Sequence, residues 1–564
     1  MSNNFMSAMK NTLNDEYNVS VTENGAVGYR TSGKELLDLN FAVSSLRRAT
    51  PADIAARFTR AFFEDQVTAM KWLFFARDIR GGLGERRLFR VVLEYMAKNS
   101  PEYVKPVIRL VPEYGRWDDL WCLFDTDLQG DVLDVVCAQL KEDIANMNSG
   151  NSVSLLAKWL PSLHSSSADK RRYAKLICGY IGIQEWDYRR ALSALRTKLD
   201  IVEKKMSAKE WDEIKYEAVP SRANLIYNSA FLRHDEERRR DFLSKLEKGE
   251  TKINASTLFP HDIVHRYTNG GWGTTVKALD QTLEALWKSL PDTVNGCGNT
   301  IVVADGSGSM TSRVGGGNVT ALDVANALAI YFAERSSGQF KDNYITFSEN
   351  PRLVDFSHGK TLRDKIRIAL SHNEMANTNI EAVFDLILDT AIKNNMSQSD
   401  IPHNILIISD MEFDGCAVTN THRRGYRCVD ARLFTVLAQR YADAGYQLPR
   451  LVFWNVNSRT GTIPVKENDL GVALVSGFST NIVKMVMSGQ TDPYECLLET
   501  LNTERYAPVE EARRGGGSTS PLILPGGMCY GSSYRIHQKK FQRQKAAYSR
   551  LHNCFCVRRV WRKG

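Results

Sequence analysis

The sequence predicts a chain of two structural classes: a HEAT-like array of stacked helices over residues 36–295, then an α/β doubly wound domain over residues 296–505. Three observations carry this. Apolar residues recur at three- and four-residue steps almost without a break from Lys34 to Leu290. At Asn299 that pattern gives way to short β-branched runs that alternate with helical stretches. A Gly/Ser loop follows the first such run, where open parallel sheets bind their ligands, beyond the carboxyl ends of the strands.

Along the chain, residues 1–35 show no sustained period and read as a surface segment. Between Pro51 and Ala76 the apolar positions Ile54, Phe58, Ala61, Phe62, Met70, Leu73 and Phe74 keep to one helical face, and Pro51 and Asp53 suit a helix start. Gly81-Gly82-Leu83-Gly84 ends this stretch, and an amphipathic run follows from Glu85 to Lys98. Further helical runs are expected near 104–111, 131–146, 170–181, 188–204, 207–215, 221–247 and 274–289. Short helices parted by Pro or Gly turns suggest a stacked α-solenoid, with an irregular bundle as the alternative, since no clean repeat is present. In the second region strands are expected at 300–304, 344–347, 404–409 and 450–456, with helices near 321–336, 361–371, 379–394 and 431–444. Such alternation predicts a mainly parallel sheet covered on both faces. The abrupt change near Asn299 further predicts a sheet domain that folds on its own.

Composition bounds the class. A chain of 564 residues with 43% hydrophobic and 10% aromatic content has material for more than one packed core. No apolar run approaches the length of a membrane span, and the polar N-terminus lacks the apolar centre of a secretory signal. Ten cysteines, scattered singly apart from Cys554 and Cys556, read as reduced thiols of a cytoplasmic protein.

The net charge of +8 is unevenly placed: residues 513–564 hold twelve Lys/Arg and no Asp/Glu, leaving the remainder at −4. Residues 506–564 therefore read as a Gly-rich linker with a basic tail, in which Arg513 to Ser518 is the flexible joint. Tyr530, Tyr534, Phe541, Tyr548, Phe555 and Trp561 interleave with the cations, including Lys539, Lys540 and Arg543. Cations attract polyanions and aromatic rings stack on bases, although a solvated tail has the same composition.

Asp305-Gly306-Ser307-Gly308-Ser309 brings three oxygen side chains to alternate positions of one loop, with glycines that let the backbone curl. These hard ligands suit Mg²⁺ or Mn²⁺. One loop cannot fill the shell; Thr378, just before a helix, and Asp410, directly after a strand, complete an edge set. This arrangement resembles the von Willebrand factor A family and its metal-ion-dependent adhesion site, whose Asp-x-Ser-x-Ser, distant Thr and distant Asp match all five positions in order. The resemblance implies a cation with an open position that a protein partner fills with a carboxylate. It implies binding and not catalysis: His358, His372 and His403 have no placed partner for general-base work.

Two other motifs matter. His261-Asp262-Ile263-Val264-His265 sets two imidazoles on one helical face, as zinc sites do, but Asp262 stands where the zinc protease motif needs Glu, and no third ligand is evident. Packed or capping histidines are the alternative. Arg77, Arg80, Arg86 and Arg87 surround the 81–84 glycine turn and could hold a phosphate, or could pair with acids at a helix corner. Lys170, Arg171 and Arg172 begin a second basic set that continues through Arg189-Arg190, Arg196, Lys198 and Lys204-Lys205, equally readable as a solvated helix face.

The order of a helical array and then an A-type domain resembles the Ro (TROVE-domain) RNA-binding proteins. Leu258-Phe259-Pro260-His261-Asp262-Ile263-Val264, Asp410-Met411-Glu412-Phe413 and Gly477-Phe478-Ser479-Thr480 carry that resemblance beyond the metal motif. The helical part also resembles an uncharacterised family of bacteria, viruses and plants through Trp117-Asp118-Asp119 and Lys198-Leu199-Asp200-Ile201-Val202-Glu203. In Ro proteins a helical ring closed by the A-type domain grips single-stranded RNA. The resemblance thus implies a non-enzymatic RNA-binding protein, an RNA chaperone or ribonucleoprotein scaffold. The alternative is a metal-dependent protein-interaction scaffold without RNA.

Overall fold

The computed structural model of the protein describes residues 18–21, 27–268, 275–294, 299–315, 317–374, 378–412, 432–459, 461, 463, 472–483 and 492–515. Helices of seven or more residues are numbered here in chain order.

The first region opens with a small antiparallel pair, β1 (Val19–Val21) and β2 (Val27–Tyr29). Helices then run as α1 (Glu35–Phe41), α2 (Pro51–Glu64), α3 (Gln66–Arg77), α4 (Arg86–Asn99), α5 (Gln129–Asn148), α6 (Ala168–Ile181), α7 (Glu185–Lys198) and α8 (Val202–Ala208). They continue as α9 (Ser221–His234), α10 (Glu236–Glu247), α11 (Pro260–Thr268) and α12 (Gln281–Lys288). Local chemistry sets these limits. Thr50 and Asp53 form a capping box on α2 with Pro51 in its first turn, and the Asp65 side chain caps α3. The run expected over 188–204 is instead two helices, α7 and α8, because Asp200 adopts φ +51 between them.

The second region is a six-stranded sheet in the order β5-β4-β3-β6-β7-β8. Its strands are β3 (Thr300–Asp305), β4 (Asn343–Phe347), β5 (Leu353–Asp355), β6 (Asn404–Ser409), β7 (Arg450–Asn455) and β8 (Val472–Ser476). All pair in parallel except β5, an antiparallel edge on β4. Its helices are α13 (Ala321–Arg335), α14 (Leu362–Ser371), α15 (Ile380–Lys393), α16 (Arg432–Asp443), α17 (Pro493–Leu501) and α18 (Ala507–Gly515). Strands β5 and β8 were not expected from the sequence. Helix α18 occupies the start of the stretch expected as linker, because its Val509 is buried and its Glu510 pairs with Lys71 of α3 at 2.6 Å.

Strand residues alternate between two cores, as the pleat requires. Ile301, Val303, Ile405, Ile407, Leu451 and Phe453 join α15, α16 and the Leu37 and Phe41 side chains of α1. Val302, Ala304, Leu406, Ile408, Val452 and Trp454 belong to the larger core, which runs without interruption into the helical array. Helix α13 lies within that core and is buried on every side from Ala321 to Ala333. Its outer side is covered by α11 of the array.

The array meets the sheet region from both of its ends. At the start, α1 packs on β8, and Ser44 donates its backbone N–H to Ser476 Oγ at 3.1 Å. At the finish, α11 packs on α13 and α12 on α14. The described residues form one compact unit. No helix among the described residues is long and apolar enough to cross a membrane.

Candidate functional site

The strand order reverses direction between β3 and β6, so the crevice beyond their carboxyl ends is the sheet's topological switch point. Asp305 ends β3 and Asp410 directly follows β6; both are buried. Asp305 is held on both oxygens: Ser307 N–H donates to Oδ1 at 2.9 Å and the Ser409 hydroxyl donates to Oδ2 at 2.6 Å. The Ser307 and Ser309 hydroxyls lie 3.0 Å apart, and the Ser309 hydroxyl acts on Asp410 by favouring its charged form. Four of the five sequence-selected oxygens thus converge. Thr378, also buried, stands two residues before α15. Its loop comes over the site at Asn373, which is so close to Gly306 that a Cβ there would lie 2.8 Å from Asn373 Oδ1. That approach explains the glycine.

The electrostatics of this crevice are unbalanced. Asp410 Oδ1 accepts the Glu412 N–H at 3.3 Å, whereas Oδ2 is buried with no hydrogen-bond partner. The Arg459 guanidinium lies 3.5 Å from Oδ2, in ion-pair range but not aimed as a hydrogen bond. Burial first, and the neighbouring Asp305 carboxylate second, push the Asp410 carboxyl up to about 7. A buried carboxylate oxygen that accepts no hydrogen bond, beside a second carboxylate and two hydroxyls, has the donor chemistry of a hard-cation site. Among the described residues no three His, Cys, Asp or Glu side chains gather, so a cation here depends on the hydroxyls.

From the sequence, Met411 and Glu412 stood out only as part of a family resemblance, with no role behind this edge. Met411 takes φ +62, a conformation that bulky side chains rarely adopt, and turns the chain immediately after Asp410. Glu412 is then buried and accepts the Arg459 N–H at 2.7 Å. Ser409 was legible only as the last strand residue, although its hydroxyl orients Asp305.

His261 and His265 do not form a metal pair. His261 is buried between Phe259, stacked at 5.5 Å, and Phe478, edge-on at 5.1 Å. His265 Nδ1 lies 2.8 Å from Asp323 Oδ2, the capping carboxylate of α13. The Leu258–Val264 and Gly477–Thr480 elements therefore meet, at the junction of array and sheet. Arg47 lies over the Phe478 ring at 3.7 Å while pairing with Glu85.

The arginines around the 81–84 turn divide. Arg77 is buried and pairs with Asp119 at 2.8 Å. Arg86 reaches Asp118 at 2.6 Å, and Arg87 donates to the carbonyls of Leu46, Arg47 and Ala49. Arg80 is exposed, and among the described residues only its backbone N–H is engaged, by Asp78. The turn is thus a helix corner built on Arg–Asp pairs. Its balance is still positive, because Arg77, Arg86, Arg90 and Arg116 share two carboxylates, Asp118 and Asp119. Burial works against the Asp119 charge, but Arg77 and Arg90 hold its carboxyl below the usual range. In the second set Lys170 is exposed, Arg171 caps the Ser165 and Ser166 carbonyls, and Arg172 grips Asp125 with both terminal nitrogens at 2.7 and 2.8 Å. Lys539, Lys540 and Arg543 lie outside the described residues.

Two family models match the chain: a domain of unknown function (DUF2828) over residues 22–113 and 180–300, and a domain of unknown function (DUF7788) over residues 299–515. An uncharacterised protein of Acanthamoeba polyphaga mimivirus is 30% identical over 541 residues, covering 87% of this chain and 89% of that protein. Among solved structures, the Ro (RSR) protein of Deinococcus radiodurans aligns with 81% of this chain and 100% of that one, at 13% identity and a TM-score of 0.44.

Proposed function

The chain belongs to the family of the uncharacterised mimivirus protein, and from that premise we propose that it is a non-enzymatic, Ro-like RNA-binding protein whose sheet region carries a divalent-cation adhesion site. The observation that supports the cation site most is the buried Oδ2 of Asp410, which among the described residues accepts no hydrogen bond and has only the 3.5 Å ion pair with Arg459, beside Asp305 and the Ser307 and Ser309 hydroxyls at the switch point. Asp305, Ser307, Ser309, Thr378 and Asp410 would hold Mg²⁺ or Mn²⁺, in the manner of a von Willebrand factor A domain. Bound there, the cation supplies an electrophilic position for a partner's carboxylate. The protein's part is to fix the oxygens: Ser409 and the Ser307 N–H orient Asp305, and Met411 turns the chain behind Asp410.

Calorimetric titration of the full chain with Mn²⁺ tests the site. Wild type should bind one equivalent, and Asp305→Ala should lose that binding while its circular dichroism is unchanged. Equal affinity in the two proteins would remove the assignment.

The RNA reading rests on the sequence resemblance and on charge: an arginine corner short of carboxylates and a tail with twelve uncompensated cations. Sequencing the nucleic acid that copurifies with the native full chain tests it, with enriched single-stranded RNA as the expected result. A preparation free of RNA, together with a carboxylate-bearing partner captured through the cation, would favour the metal-dependent protein scaffold.

A further inference from the structure

A cleft of about 1010 Å³ opens between the turn Leu156–Trp159, α7 and α8, away from the sheet and its cation site. Its lining includes Lys158, Arg189, Arg190, Arg196 and Lys204 against one carboxylate, Glu203. Two tryptophans also line it. Trp186, on the first turn of α7, is 55% exposed, an uncommon state for the largest apolar side chain. The Arg190 guanidinium lies 5.4 Å from its ring centroid. Trp159 is half-buried and carries the Arg116 guanidinium at 4.1 Å on its ring.

That last contact makes the surface continuous. Arg116 belongs to the corner in which four guanidinium groups share Asp118 and Asp119. Arg86, Arg90 and Arg116 all keep part of their side chains in solvent, at 43%, 29% and 31%. Arg90 Nη2 and Arg116 Nε are buried polar atoms without a hydrogen-bond partner, although each lies within ion-pair range of Asp118. An excess of cations beside an exposed tryptophan is the chemistry of a single-strand nucleic-acid groove: the cations track phosphates and the ring stacks a base. An acidic peptide would satisfy the charge and leave Trp186 without a role.

We propose that this cleft binds single-stranded RNA, with one base stacked on Trp186, its flanking phosphates on Arg189, Arg190 and Lys204, and the strand continuing past Trp159 to Arg116 and Arg86. The inference rests on the RNA-binding reading above and gives it a location. It is tested on the full chain with fluorescein-labelled oligouridylate at low salt. Trp186→Ala should weaken binding roughly tenfold, and Trp186→Phe, which keeps a stacking ring, should recover most of that loss. Arg189→Glu with Arg190→Glu should weaken it further. Polyglutamate should compete poorly with the oligonucleotide for wild type. If wild type binds and these variants bind equally well, or polyglutamate displaces the RNA as readily as unlabelled oligouridylate does, the cleft assignment is overturned while the RNA reading stands. If wild type itself binds no oligouridylate, the reading beneath it fails first.

Discussion

His261 shows how a single side chain reports on the junction between array and sheet. Enclosed by Phe259 and Phe478, it is held neutral, its pKa pushed down to about 4 chiefly by burial. An unfolded chain protonates this imidazole near its ordinary value of about 6.5. Between those values the unfolded state binds the extra proton, so stability rises with pH; the contribution is complete above about 6.5 and is lost as pH falls toward 4. The largest effect from this residue is ~3 kcal/mol. Urea unfolding at pH 7.5 and pH 5 checks it. His261→Phe should lose less stability than wild type over that interval, and parallel losses in the two proteins would show that His261 is not held neutral. The same scale explains why some residues of the candidate sites stood out in the sequence and others did not. Asp305, Ser307, Ser309 and Asp410 announced themselves by a fixed pattern of oxygen side chains. Arg77 and Arg86 offered only their charge, and charge does not say whether a guanidinium meets solvent or a carboxylate such as Asp119.

Among the elements, the turn after α3 is the most tightly constrained. A Cβ on Gly82 would lie 1.9 Å from the Phe75 carbonyl oxygen, a backbone atom that cannot swing away. The turn also serves the neighbouring region, since Asn481 donates to the Ile79 and Gly82 carbonyls. Gly82→Ala should therefore cost about 3 kcal/mol, at the upper end for overpacking, read as a lowered urea midpoint. A midpoint unchanged within error would mean that the turn is not held as described. Helix α4, with one apolar stripe, was readable from periodicity alone, and so were four of the strands, whereas the run expected from Pro51 to Ala76 breaks at Asp65 into α2 and α3 because the Asp65 side chain caps a new helix. Strand β8 was missed although Val472 to Ser476 is a β-branched run bounded by Asn468-Asp469, Gly471 and Gly477, and β5 because three residues are too few to show a period. Helix α18 was hidden by the glycines that follow it: composition marked a linker, while Val509 and Glu510 already belonged to the core and to Lys71.

At the scale of the whole molecule, the sequence change at Asn299 marks a change of class but not a gap in the core. Helix α13 is apolar all round, the pattern of a helix buried on both sides and not of one that covers an autonomous domain. A fragment of residues 296–515 should accordingly expose the α11-facing side of α13. It is expected to bind a hydrophobic dye and to self-associate, whereas the chain through residue 515 stays monomeric by analytical ultracentrifugation. A monomeric, dye-silent fragment would restore the independent domain that the sequence suggests.

RNA binding by the described unit, with the basic C-terminal residues as an electrostatic aid, is most directly tested by the salt dependence of affinity. Full chain and a protein ending at residue 515 would be titrated with one single-stranded RNA across a series of salt concentrations. Residues 516–564 carry ten Lys/Arg and no Asp/Glu, and phosphate contacts contribute a slope of roughly −0.7 each on single strands. Removal of those residues should flatten the slope and leave measurable binding, because base stacking on the remaining protein is far less sensitive to salt. Loss of all RNA binding by the shortened protein, even at roughly 50 mM salt, would contradict the assignment of RNA to the helical region.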